Sequence, residues 1–376
     1  MGLYFIYYIT MWKIISFFNH KGGVWKTTLV HNIAFALADL WKKVLLIDAD
    51  PQMNLTAAMY GLCTSVDYST NDKSIWMQNV QKYASITDYL NAVLWRVSDI
   101  RGNVERFRSG TSKSGVIDMI SGDIGISEYE AEFYALITSN LTLATARSQI
   151  DLVNIALRKE LDQYDFILLD TSPSSTSILN AILIYMSDYM IAPVTPNFFS
   201  LQAIDNLTEV FRNWRVRLDN VLKSTASPRW LDKRVKFLGI VVQMAKRFQG
   251  GSRHNMDGFS QSTERWVADL NKSVVAFYQG AQPLGNTVTE AEFQNFFPDS
   301  TPFTIEKCCD FTPKLKSVAE SCGVPIIYLT EDMCKEYSKK EETTVSISTE
   351  GWQYQKSFHA INQQYRGIAD NLLNLL

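Results

Sequence analysis

Long hydrophobic runs are missing from this chain of 376 residues; none reaches the ~20 needed to cross a bilayer as a helix. Cysteine is scarce: Cys63, Cys308, Cys309, Cys322 and Cys334 are odd in number, and no pair has zinc-ligand or redox spacing. With no secretory cleavage pattern either, the expectation is a reduced, cytoplasmic protein. A strong overall charge is also lacking. The formal net charge is −3, which says nothing of a nucleic-acid partner, and 46% apolar with 20% charged residues is ordinary globular composition.

The charge that is present is unevenly spread. Val210 to Arg253 holds eleven Lys/Arg against two Asp/Glu, so +9 sits there and −12 on the rest. The opening "MGLYFIYYITMW" is apolar but too short to span a membrane, and Ile6 departs from the myristoylation pattern. Residues 1–12 therefore read as an edge strand or a tail ahead of Met11, with a surface anchor as the other option.

Secondary-structure signals alternate. Lys13–Phe18 (KIISFF) is a β-branched and aromatic strand, Thr27–Leu40 an apolar helix, and Lys43–Ile47 (KVLLI) a second strand. Strand, loop, helix and strand make a βαβ unit and predict a parallel sheet. Further strands are expected at Val116–Ile120, Asp165–Asp170, Tyr189–Val194, Phe237–Val242 and Val324–Leu329, with helices at Ile86–Val97 and Tyr354–Leu373. The polar, turn-rich stretches 62–113 and 247–303 read as insertions, the second as a lobe or long loop. The fold class is α/β, a mostly parallel twisted sheet flanked by helices, with 13–376 as one domain.

Three segments point to one chemistry. Lys21-Gly22-Gly23-Val24-Trp25-Lys26-Thr27-Thr28 lies between a strand and a helix N-terminus, where free N–H groups and the helix dipole favour phosphate. Lys26 can reach β- and γ-phosphates, and the Thr27 hydroxyl can ligate Mg²⁺. Asp170, ending one strand, can hold the metal's water shell; Asp50, ending another, can orient an attacking water. The odd member is Trp25, where such loops carry glycine. At the start of a helix it is expected to take right-handed backbone angles, with its side chain free to point away from the phosphates. The alternative is an indole that covers the phosphates or packs on a partner subunit, excluding water and slowing turnover. His20 reads as a loop hydrogen bonder and His31 as a helix-face residue.

"KGGVWKTT", "VLLIDADPQMNLT" and "YDFILLDTSPS" resemble the deviant Walker A, Walker A′ and Walker B segments of the ParA/MinD family of ATPases. "VIDMISGDIGISEYEAEF" is similar to the strand and loop between them, and "GVPIIYL" to the family's C-terminal portion. The resemblance implies a P-loop fold with ATP and Mg²⁺ at the carboxyl ends of the strands. By the same carry-over Lys21 would reach a partner's ATP across an ATP-sandwiched homodimer. Asp50 would position water, and Asp48 would hold the lysines and the metal shell. Gln52 and Asn54 would belong to a first switch, and Thr171–Pro173 to a second.

Within the family, iron–sulfur reductases need two cysteines in the middle of the chain, where only Cys63 lies between residues 50 and 200. The membrane-targeting branch uses a basic C-terminal helix, whereas "RGIADNLLNLL" carries one charge of each sign. The DNA-partition and cargo-positioning branch remains. Its nonspecific DNA contact would draw on Arg212, Arg215, Arg217, Arg229, Lys233, Arg234, Lys236, Lys246 and Arg247. A ParB-like or adaptor protein would stimulate hydrolysis, and the protein would associate with the nucleoid. Two readings compete: a solvated basic face in place of DNA binding, and a regulatory switch working through a protein partner.

Overall fold

A computed structural model describes residues 12–60, 80–94, 107–109, 113–138, 163–222, 235–247, 258–311, 313–347 and 351–376. Outside them lie residues 1–11 of the segment expected as an edge strand or tail, much of the 62–113 stretch, and Arg229, Lys233 and Arg234. Eight strands form one sheet: β1 Lys13–Phe17, β2 Lys43–Ala49, β3 Phe107–Arg108, β4 Val116–Ile120, β5 Phe166–Thr171, β6 Tyr189–Val194, β7 Lys236–Ala245 and β8 Thr304–Cys309. Their order is β3-β4-β2-β5-β1-β6-β7-β8. Every neighbouring pair is parallel except β3–β4, a two-residue antiparallel edge.

The central strands are continuous apolar runs because helices cover both faces. The helices described are α1 Lys26–Asp39, α2 Asn54–Tyr60, α3 Ile86–Leu94, α4 Ile126–Thr138, α5 Ile178–Met186, α6 Phe198–Asp205, α7 Leu207–Leu222, α8 Gln261–Ala281, α9 Glu290–Phe296, α10 Pro313–Cys322, α11 Glu331–Lys340 and α12 Gly351–Leu372. Helix α1 is apolar nearly all round and is buried between the sheet and α12. The facing stripe of α12 is Ile361, Tyr365, Ile368 and Leu372, a helical spacing that puts all four in the core.

Two assignments change. The run VPIIYL, expected as a strand, is a buried connector with a short 3₁₀ turn at Ile326–Tyr328. Pro325 starts that turn, and its polar backbone is satisfied by side chains: Ile327 N–H donates to Asn32 Oδ1 (3.1 Å), and Asn362 Nδ2 donates to Ile327 O (2.9 Å). An apolar run of six is compatible with either state by periodicity alone. The last parallel strand is instead TIEKCC, Thr304–Cys309. The stretch 247–303, read as an inserted lobe or long loop, carries α8 and α9 between β7 and β8. Helix α8 buries Val267, Leu270, Val274, Phe277 and Ala281 along one stripe.

Candidate nucleotide site

The register of the sheet assembles the site. Asp170 of β5 lies opposite Asp48 of β2 and Phe17 of β1, so two carboxylates and the start of the phosphate loop meet at the carboxyl ends of adjacent strands. Thr27 Oγ1 donates to Asp170 Oδ2 (2.6 Å). The ammonium of Lys26 stands 3.3 Å from Asp170 Oδ1 and 3.9 Å from Asp50 Oδ2, with both carboxylates nearly excluded from solvent. Asp50 Oδ1 also accepts from Gln52 N–H (3.0 Å), which fixes the carboxylate at the start of the segment leading to α2.

Burial pushes Asp48 up to about 7, with the Asp170 charge beside it adding to the rise. Hydrogen bonds oppose it: Thr56 gives its N–H (2.9 Å) and hydroxyl (2.8 Å) to one oxygen, and Asp50 N–H (3.2 Å) reaches the other. Asp170 is also raised by burial, with Lys26 and Thr27 holding it back. Among the described residues no ion pair joins Asp48 to Lys21 or Lys26. The expected grip on the lysines is therefore absent here; Asp48 anchors the turn into α2 through Thr56.

A divalent cation fits this donor set. Asp170 Oδ1 is buried and faces the Lys26 ammonium at 3.3 Å without a well-formed hydrogen bond, and the Thr27 hydroxyl beside it is a second hard oxygen. No cluster of three or more His, Cys, Asp or Glu among the described residues could hold a metal alone. A bound ion would draw its other ligands from phosphate and water.

The loop itself contains two left-handed residues, Gly23 (φ 75°) and Trp25 (φ 59°, ψ 31°). The right-handed geometry expected for Trp25 is not what forms. It is the residue before α1, and its carbonyl accepts from Leu29 N–H (3.0 Å), closing the first turn. A non-glycine residue there costs on the order of 1–3 kcal/mol. The indole offsets part of that by packing edge-on to Phe311 (5.0 Å between centroids) with Lys316 Nζ 5.1 Å from its ring.

Lys21 is folded back on its own subunit. Its Nζ donates to Asn197 Oδ1 (2.9 Å) and Thr195 Oγ1 (3.3 Å) and lies 5.6 Å from the Phe199 ring. Partial burial lowers its pKa. His20, expected to be a loop hydrogen bonder, leaves its buried Nδ1 without a partner. His31 is on α1, 5% exposed, and burial pushes its pKa down to about 3, so it is neutral.

A cleft of about 340 Å³ runs from Gly23, Thr27 and Thr28 along α1 to α2 and α10, reaching Lys316 and Glu320. Sequence reasoning found neither of these, nor Thr195 and Asn197. It also missed Glu130 of α4, which accepts from Ser177 Oγ (2.8 Å) and from the N–H groups of Ile178 and Leu179 at the start of α5. The expected second switch, Thr171–Pro173, leads into that same helix, and Asn180 Nδ2 ties it down through Ser172 O (2.9 Å).

Arg212 pairs with Glu209, Lys236 with Glu292 (2.9 Å), and Arg217 donates to Thr176 O (3.1 Å). Arg247 Nε donates to Cys309 Sγ (3.1 Å), while Lys246 is exposed. No helix among the described residues is long and apolar enough to cross a membrane.

The family profile described as "AAA domain" matches residues 12–224. The virulence plasmid ParA family protein pGP5-D of Chlamydia psittaci is 30% identical over 52% of this chain and 62% of its own length. An uncharacterized protein of Mycobacterium tuberculosis is 28% identical over 63% of this chain, which spans about 64% of that protein. Soj, the sporulation initiation inhibitor of Bacillus subtilis, is 26% identical over 54% of the chain and 66% of its own length. Among solved structures, Cyanothece McdA in complex with ATP superposes with a TM-score of 0.54 at 15% identity, covering 96% of this chain and 97% of that one. The pNOB8 ParA bound to nonspecific DNA gives 0.51 at 17% identity, covering 97% of each chain. At such identities these two speak for the fold alone.

Proposed function

The chain belongs to the ParA/MinD family of P-loop ATPases, and from that premise we propose that it binds and hydrolyses ATP with Mg²⁺, pairs as an ATP-sandwiched homodimer and binds DNA without sequence preference. A ParB-like or adaptor protein resets it by stimulating hydrolysis, and the site of action is the cytoplasm, on the nucleoid. The observation that carries the reading is the triad of Lys26, Thr27 and Asp170, the first two lying within 3.3 Å of the third at the carboxyl ends of the sheet.

In this account the loop N–H groups of Gly22 to Thr28 hold the β- and γ-phosphates, and Lys26 neutralises charge on them. Thr27 and Asp170 would hold Mg²⁺, with Asp48 behind them in the same carboxylate cluster; the ion would supply positive charge against the transferring phosphoryl group. Asp50 orients water from its fixed position beside Lys26. Lys21 leaves Asn197 and Thr195 to deliver its charge to the partner's nucleotide. The fold shared with McdA and pNOB8 ParA is compatible with this reading.

One observation favours a second reading, a nucleotide-dependent regulatory switch that acts through a protein partner without DNA transport. Arg212, Lys236 and Arg247 already have partners within the chain, which leaves fewer cations for phosphate. Retention of DNA on beads with and without ATP separates the two. ATP-dependent retention that falls steeply with salt supports transport, and none at low salt supports the switch.

A further inference from the structure

Glycine at the position before Lys26 would leave the wall between the phosphate loop and the α1 cleft without a side chain. Trp25 builds one. The indole lines the cleft, is half-buried, and packs against Phe311 and Lys316, the latter in turn bound to Glu320 (3.1 Å). Gly23, Thr27 and Thr28 of the loop line one end of the cleft, which leaves it room to receive the rest of a molecule whose phosphates the loop holds. His31 lines the same cleft, neutral and nine-tenths buried, with Nε2 lacking any hydrogen-bond partner. An aromatic wall beside an unsatisfied neutral donor or acceptor suits a flat heterocycle with polar edges and does nothing for a phosphate.

We propose that Trp25 is a specificity-determining residue of the cleft, its indole contacting the ribose-and-base end of a bound nucleoside triphosphate while its backbone N–H serves the phosphates. The inference rests on the nucleotide reading above. It assigns the indole to the nucleoside, and so to recognition. Lys316 keeps the ring in place from α10, so the wall spans two parts of the chain far apart in sequence.

Two substitutions separate backbone from side chain. Trp25→Ala removes the indole and keeps a Cβ on the left-handed backbone; Trp25→Gly removes both the ring and the strain. Calorimetry with Mg²⁺ compares ATP with inorganic tripolyphosphate, which carries the phosphates alone. Wild type binds ATP more tightly than tripolyphosphate. Trp25→Ala weakens ATP about tenfold, the scale of one base–aromatic contact, and leaves tripolyphosphate within twofold. Trp25→Phe restores most of the ATP affinity. Equal losses for both compounds in Trp25→Ala, or no loss for ATP, overturn the assignment and make the tryptophan a structural element of the loop. A wild type that binds tripolyphosphate as well as ATP also overturns it, with the phosphate site intact. A wild type that binds neither overturns the nucleotide reading as well.

Discussion

The centre of the sheet and the basic belt on α7 and β7 use charge in opposite ways. At the centre Lys26, Asp48, Asp50 and Asp170 are buried within reach of one another, and strand register and hydrogen bonds from Thr27, Thr56 and Gln52 fix their positions. On the belt Arg212 and Lys236 are exposed or half-exposed and meet carboxylates across solvent. Exposed pairs contribute about 0–1 kcal/mol and exchange partners readily. Buried ones cannot be separated without leaving a charge that neither water nor a partner compensates. The centre is therefore specified by the fold and commits to one chemistry. The belt remains free to meet phosphate, a protein surface or water.

The largest effect expected at the centre is thermodynamic. His31 has its folded pKa lowered to about 3 from the ordinary 6.5 by burial. The unfolded chain then binds the extra proton between those values, so stability is complete above pH 6.5 and is lost as pH falls toward 3. His31→Leu should flatten that acid limb by an amount on the order of 3 kcal/mol, measured by urea denaturation from pH 7 to pH 4. An unchanged limb would mean the histidine is not as enclosed as α1 makes it.

Next comes turnover. Asp50→Ala should slow hydrolysis about a hundredfold, the usual scale for losing a group that orients or deprotonates water. ATP affinity should stay within a few-fold, and single-turnover kinetics distinguish the two. Wild-type turnover in Asp50→Ala would remove that residue from the mechanism. Lys21→Ala should weaken the ATP-dependent dimer by about tenfold or more, read by light scattering with a nonhydrolysable analogue. If wild type and variant dimerise alike, Lys21 does no more than join the loop to Asn197 and Thr195.

The belt should show the smallest and most uniform effect. Reversing Arg215, Arg217 and Lys236 to Glu should weaken DNA binding for every sequence. Each phosphate no longer neutralised should lower the log–log salt slope by roughly one unit. Unchanged retention would assign these residues to a solvated face and sharpen the contrast with the centre.

The same contrast decided what could be read from the sequence. β1, β2, β5, β6 and α1 are legible because burial on both sides leaves continuous apolar runs, and the loop and strand-end aspartates because their chemistry fixes their spacing. TIEKCC escaped because Glu306 and Lys307 interrupt the apolar pattern of a strand only partly covered, while VPIIYL is apolar enough to pass for one. The side-chain ligatures of the site were out of reach for another reason. Lys21 finds Asn197 across a separation of 176 residues, and Trp25 meets Phe311 only after the last strand has been laid down. Nothing in residue type marks a tryptophan for left-handed backbone geometry. That conformation follows from closing the loop onto α1.

The central claim is that the buried cluster beneath the loop is a working nucleotide site despite Trp25. Titrating ATP with Mg²⁺ into wild type and Lys26→Ala by calorimetry tests it most directly. Saturable binding at about micromolar strength, worth about 8 kcal/mol, is expected for wild type and exceeds the backbone strain at Trp25. Lys26→Ala should lose it while still melting cooperatively, at a lower temperature because Asp170 and Asp50 are left without their cation. No binding by wild type, or equal binding by both proteins, would contradict the account.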